Sequence, residues 1–160
     1  MAYVSLDSDQ IKKAHKKHKY SKTQVEQLEK CMDEIDGPLY FMKTFMKIQH
    51  PVKGSIPFHP FPYQERLIAS YNDHRFSIAM LPRQTGKTTC ASGFLIWYAM
   101  FRPDSQILIA AHKYAGASDI MSRVRYAYEM LPAWIKAGVT QYNRNSRIRQ
   151  RFEDISDHNN

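Results

Sequence analysis

Apolar and polar positions recur along this chain at more than one period. Val25, Leu28, Met32 and Ile35 fall at helical spacing, which predicts a helix over residues 8–35, capped by Asp7 or Ser8 and ended by Gly37-Pro38. Leu39, Phe41, Met42, Phe45, Met46 and Ile48 predict a short amphipathic helix over 39–50, and His50–Gly54 reads as a turn. Residues 55–62 hold Pro57, Pro60 and Pro62 among aromatics, which predicts extended chain. A helix starts at Tyr63, directly after Pro62. Phe76–Leu81 is an apolar run of the length of a buried strand. A helix over 87–101 is apolar almost all round, as for a helix laid on a sheet. Arg102-Pro103-Asp104 breaks it, and Gln106–Ala111 predicts a second strand, parallel to the first and joined to it by a right-handed crossover. Residues 115–130 read as a helix with Ile120, Val124 and Ala127 inward. Arg123 and Arg125 point elsewhere, toward DNA or solvent. Leu131–Ile135 with Gly138 forms a turn that anchors Trp134. The end of the chain, from about residue 145, alternates charges with few large apolar residues, which predicts disorder or a loose helix.

Composition narrows the picture. A length of 160 residues suits one domain, and 43% hydrophobic residues supply a core for it. The net charge of +8 favours a polyanionic partner. Lys12–Lys19 is strongly basic; it reads first as a solvated helix face or frayed terminus, and second as a nucleic-acid arm. Cys31 and Cys90 form no C-x-x-C pair, so neither a disulfide framework nor a zinc site is expected, and a reducing compartment fits. No apolar run approaches a membrane span, and Met1–Asp7 lacks the order of a signal peptide.

The chemistry concentrates after the first predicted strand, in Leu81-Pro82-Arg83-Gln84-Thr85-Gly86-Lys87-Thr88-Thr89. Strand, tight loop, Gly-Lys-Thr and helix is the order a phosphate-binding P-loop needs. Backbone N–H groups must converge on phosphate oxygens, and the helix N-terminus must face the same anion. Gly86 permits close approach, Lys87 supplies a mobile positive charge, and the Thr88 hydroxyl is suited to a Mg²⁺ ion carried with ATP. Leu81 stands where the usual pattern has its first glycine, and Pro82 follows. Arg83 lies in the loop, where it can stabilise charge on a transferred phosphoryl group or only aid binding. Gln64, about 20 residues ahead of Gly86, can address both edge atoms of adenine, with Tyr63 beside it to stack on the ring. His112 and Lys113 follow the second strand; His112 is expected to be structural and Lys113 solvated or ligand-facing.

The loop Leu81–Thr89 resembles the deviant Walker A motif of large terminase subunits, the DNA-packaging ATPases of tailed bacteriophages, of the myovirus type. Lys47–Pro51 with Lys53-Gly54, the Tyr63-Gln64 pair, Ala111-His112-Lys113 and the turn around Trp134 resemble the same family. The resemblance covers about residues 36–144 and implies an α/β fold, an ASCE-type, RecA-like parallel sheet preceded by N-terminal helices. It implies a helical region at 1–54, a partial ATPase domain at 55–144 and a disordered tail at 145–160. It also implies Arg83 as the in-chain catalytic arginine, a nucleotide site formed by Tyr63, Gln64, Arg83, Gln84, Thr85, Gly86, Lys87, Thr88 and Thr89, and Mg²⁺ at Thr88. The implied partners are double-stranded DNA, a portal protein and a small terminase subunit, in the host cytoplasm, with no membrane.

The sequence departs from that family in what it lacks. No apolar run ends in Asp-Glu, the pair that holds Mg²⁺ and activates water, and no nuclease cluster of acids follows. The chain is therefore expected to be an N-terminal piece that binds ATP weakly without turning it over. Two other readings are a fragment of a different P-loop enzyme, such as a superfamily 2 helicase, and a basic DNA-binding protein with a vestigial loop. Asp-Glu after a further strand would mark the first, and salt-sensitive DNA binding indifferent to ATP the second.

Overall fold

A computed structural model describes residues 19–50, 52–136, 139–141 and 148–150. The basic run Lys12–Lys19 lies outside them, apart from Lys19. Helix α1 is Lys22–Met32. The Ser21 hydroxyl accepts from the Gln24 N–H at 3.3 Å and the Gln24 Oε1 accepts from the Ser21 N–H at 3.0 Å, a reciprocal cap that starts the helix there. The helix ends earlier than the predicted residue 35. The Asp33 carboxylate accepts from the N–H groups of Asp36 (2.7 Å) and Ile35 (2.9 Å) and turns the chain away.

Gly37-Pro38 does not terminate α1; it opens α2, Gly37–Phe45. A first-turn proline loses no helical hydrogen bond, and its fixed φ suits the start. The helix predicted to run to residue 50 stops at Met46, whose ψ of 132° is extended. Strand β1, Lys47–His50, follows and pairs antiparallel with β2, Gly54–Pro57, with Lys47 opposite Pro57 and His50 opposite Gly54. The turn between them is held by His50 Nδ1, which accepts from the Val52 and Lys53 N–H groups at 3.2 and 3.1 Å. Ladder pairing across the turn outweighs helical continuation because Phe41, Met42, Phe45 and Met46 already fill the core.

The remaining helices are α3, Pro62–Asp73, α4, Lys87–Phe101, and α5, Tyr114–Glu129. All three begin within a residue of their sequence-based positions. One core draws on α1 through α5: Cys31, Phe41, Met42, Ile68, Trp97, Val124 and Leu131 are all buried in it. Trp97 is fully buried, and its indole Nε1 donates to the Cys31 carbonyl at 2.7 Å, tying α4 to α1. The rings of Phe41 and Phe101 meet edge-on at 5.7 Å. Phe45 meets Trp134 at 5.5 Å, which is the anchoring expected of that turn. Gly138 lies outside the described residues. Of the expected inner face of α5, Val124 and Ala127 are buried and Ile120 is half-buried.

The described ladders are two antiparallel pairs, the second joining β3, Val139–Gln141, to β4, Ile148–Gln150. Strand β4 departs from the expectation of disorder or loose helix at three residues, because a partner strand supplies hydrogen bonds that residue-by-residue reading does not see; the rest of the stretch from 145 lies outside the described residues. The chain is thus a mixed helix and strand domain. Phe76–Leu81 and Gln106–Ala111, expected as parallel strands, lie outside every described helix and ladder. Most of their side chains are open to solvent: Ile78 is 95%, Met80 93% and Leu108 92% exposed, while Leu81 and Ile109 are half-buried. Among the described residues no helix is long and apolar enough to cross a membrane.

Candidate functional site

Between Leu81 and α4 the chain makes a tight loop whose backbone is held from within. Gln84 and Gly86 both have positive φ, 64° and 74°. Left-handed residues alternating with ordinary ones curl a backbone so that N–H groups converge, the geometry of an anion nest. Gln84 is not a glycine and is strained there by about 1 kcal/mol, so the surrounding bonds must hold it. One such bond is from Thr85 Oγ1 to the Pro82 carbonyl, 3.0 Å.

Gly86 is the N-cap of α4. Its own carbonyl accepts the first bond of the helix, from the Cys90 N–H at 2.9 Å. The N–H groups ahead of Cys90 therefore stand at the free, electropositive end of a 15-residue helix. The glycine is required twice over. Its φ favours glycine, and an added Cβ would lie 2.6 Å from Gln64 Nε2.

Lys87 folds back along the loop. Its Nζ donates to the Leu81 carbonyl at 3.2 Å and the Pro82 carbonyl at 3.4 Å, so the ammonium lies over the loop. The lysine is exposed and those bonds are weak, which leaves the charge available to an anion. Thr88 and Thr89 are half-buried on the first turn of α4. Arg83 and Gln84 are exposed. Among the described residues Arg83 makes no ion pair.

Tyr63 and Gln64 come to the same loop from the first turn of α3. The Tyr63 hydroxyl donates to the Thr85 carbonyl at 2.9 Å, and Gln64 Nε2 donates to that same carbonyl at 3.1 Å. Gln64 is buried, and its Oε1 accepts from the Phe61 N–H at 2.9 Å. The Tyr63 ring stacks on Phe61, centroids 5.9 Å apart and 6° from parallel. Both ends of the Gln64 amide thus engage protein atoms. Sequence reasoning placed these two residues near the site but missed what they touch. The usable signal was Gln64 at the third position of a helix opened by Pro62, where a side chain reaches back to the cap.

Beside Tyr63, a cleft of about 300 Å³ runs between α3 and residues 77–81, lined by Arg66, Leu67, Ser70, Ile78 and Met80. The Ser77 hydroxyl donates to the Ser70 carbonyl at 2.9 Å and closes one end. His112 and Lys113 are both exposed ahead of α5, with Lys113 as its N-cap. Among the described residues no three His, Cys, Asp or Glu side chains gather as a metal cluster.

The loop offers, on its own geometry, features that an anion would use. The curled backbone, the glycine cradle, the free start of α4 and the adjacent ammonium are what several phosphate oxygens demand. Residues 78–153 match the family model described as terminase large subunit, T4likevirus-type, N-terminal. The match includes the loop and α4, and it runs on to 153, past the point near 145 where the resemblance was expected to fail.

Proposed function

We propose that this chain, which over residues 78–153 matches the family model of the T4-like terminase large subunit N-terminal region, binds the phosphates of Mg²⁺-ATP at the loop Pro82–Thr89 in the service of phage DNA packaging. The observation that carries this reading is the closed loop on the N-terminus of α4, with left-handed Gly86 at the cap and Lys87 folded across it. Backbone N–H groups of the loop and α4 hold phosphate oxygens, Lys87 neutralises their charge, and Gln84 and Thr85 shape the curl. Thr88 and Thr89 stand on the first turn of α4, with Thr88 as the ligand that this chain offers to Mg²⁺. Arg83, exposed in the loop, stabilises charge on the transferred phosphoryl group when the rest of an ATPase site is present.

On this reading Phe76–Leu81 and Gln106–Ala111 are strands of a parallel P-loop sheet. Their apolar side chains, now mostly exposed, are covered when neighbouring strands pair with them. The sequence has no apolar run ending in Asp-Glu, so the chain alone binds nucleotide without turning it over. Double-stranded DNA, a portal protein and a small terminase subunit are the partners of such a motor, acting in the host cytoplasm.

The test is calorimetric titration of the 160-residue chain with ATP and Mg²⁺. Binding is expected, and Lys87→Ala is expected to weaken it at least about tenfold, the worth of charged hydrogen bonds to phosphate. Absence of binding by the unaltered chain would refute the phosphate site. Hydrolysis that Lys87→Ala abolishes would refute the claim that the chain does not turn ATP over.

A further inference from the structure

The Thr85 carbonyl receives two donors from consecutive residues of another helix, Tyr63 Oη at 2.9 Å and Gln64 Nε2 at 3.1 Å. A carbonyl oxygen has two lone pairs, so this one is fully subscribed. Its direction has a consequence for the loop. No described peptide bond is cis, and in a trans peptide the C=O and the following N–H point in opposite directions. Drawing the Thr85 carbonyl toward α3 therefore turns the Gly86 N–H away from α3, on the side opposite to Tyr63 and Gln64. We propose that Tyr63 and Gln64 are positioning residues of the phosphate loop, which clamp the Thr85 carbonyl so that the Gly86 N–H is aimed at phosphate before any ligand arrives. This rests on reading the loop as a phosphate site, and it gives the pair a task independent of the base.

Three further observations support the clamp. Gln64 is buried, and its Oε1 is anchored on the Phe61 N–H at 2.9 Å, so its amide is fixed before it meets the loop. The Tyr63 ring is held parallel to Phe61, which limits where its hydroxyl points. The absence of a Cβ at Gly86 makes room for Gln64 Nε2, so the two residues are matched in shape. Such preorganisation strengthens binding of any group the loop accepts, because the cost of ordering the backbone is met in folding.

Two variants separate the clamp from recognition of the base. Tyr63→Phe removes one donor and leaves the ring stack. Gln64→Glu keeps an acceptor for the Phe61 N–H but sets an oxygen against the Thr85 carbonyl. Each is titrated with Mg²⁺-ATP and with inorganic tripolyphosphate, and the carbonyl ¹³C shift of Thr85 is read by NMR in the ligand-free protein. The expected result is a loss of about fivefold in affinity for Tyr63→Phe and a larger loss for Gln64→Glu. The loss is the same for both ligands and is accompanied by a moved Thr85 shift in a protein that still unfolds cooperatively. Weakened ATP binding with tripolyphosphate binding intact would overturn the proposal and assign the pair to the base. An unmoved Thr85 shift would also overturn it. Failure of the unaltered chain to bind either ligand would remove the phosphate site itself, while the Thr85 shift would still decide whether the clamp exists.

Discussion

Single residues here act through what they leave unsatisfied or make room for. Ser92 is buried in α4, and its hydroxyl has no hydrogen-bond partner among the described residues. An unpaired hydroxyl away from water costs more than it contributes. Ser92→Ala is expected to raise unfolding stability by about 1 kcal/mol, seen as a higher urea midpoint at unchanged slope. A lowered midpoint would mean the hydroxyl has a partner. At the loop, the turn at Gly86 was legible from residue type, because a residue without Cβ takes the left-handed cap ahead of α4 at no steric cost. The bonds of Tyr63 and Gln64 to Thr85 were not, since the partners stand 22 and 21 residues apart and meet only when α3 docks.

At the scale of elements, the helices α3, α4 and α5 were read well, the bounds of α1 and α2 less so, and the strands poorly. Helix α4 could be placed from Gly86 and a long apolar run because its hydrogen bonds close within the segment. Strands β1 and β4 were missed because a strand exists only by virtue of its partner. Segments 76–81 and 106–111 show the same dependence from the other side: their apolar pattern is that of strands, yet they join no described ladder. Helix packing makes a sharper demand. α4 crosses α2 at Gly93, where an added Cβ would lie 2.5 Å from Met42 Cε and from Met46 Sδ. Methionine ends can shift for one methyl but not for a branched side chain. Gly93→Val is expected to destabilise the fold by about 1–3 kcal/mol in urea titrations, beyond the cost of valine in a helix. A loss no larger than the helical-propensity difference would show that the two helices do not meet so closely.

The molecule as a whole holds several ionisable groups in its core, and this sets its response to alkali. Burial pushes the Cys31 thiol from 9.0 up to about 12 and the Cys90 thiol up to about 11. Burial likewise raises the Tyr128 phenol from 10.0 to about 12. The unfolded chain releases these protons near their ordinary values while the folded chain keeps them, so above the lower values the folded state binds more protons and loses stability as pH rises. Burial lowers Lys136, which opposes this trend, but among the described residues it stands against five groups, since burial also raises Tyr20 and Tyr71. The urea midpoint is expected to hold up to about pH 8 and to fall steadily toward about pH 11; a flat profile would contradict the burial of the thiols.

The sequence by itself determined the helix α4, the place of the tight loop ahead of it and the family model that this stretch matches, because each rests on local backbone geometry and on residue chemistry. Only the tertiary structure decided the β1–β2 hairpin, the core shared by α1 through α5 and the two donors on Thr85. Those depend on pairings between distant residues, which local periodicity cannot encode.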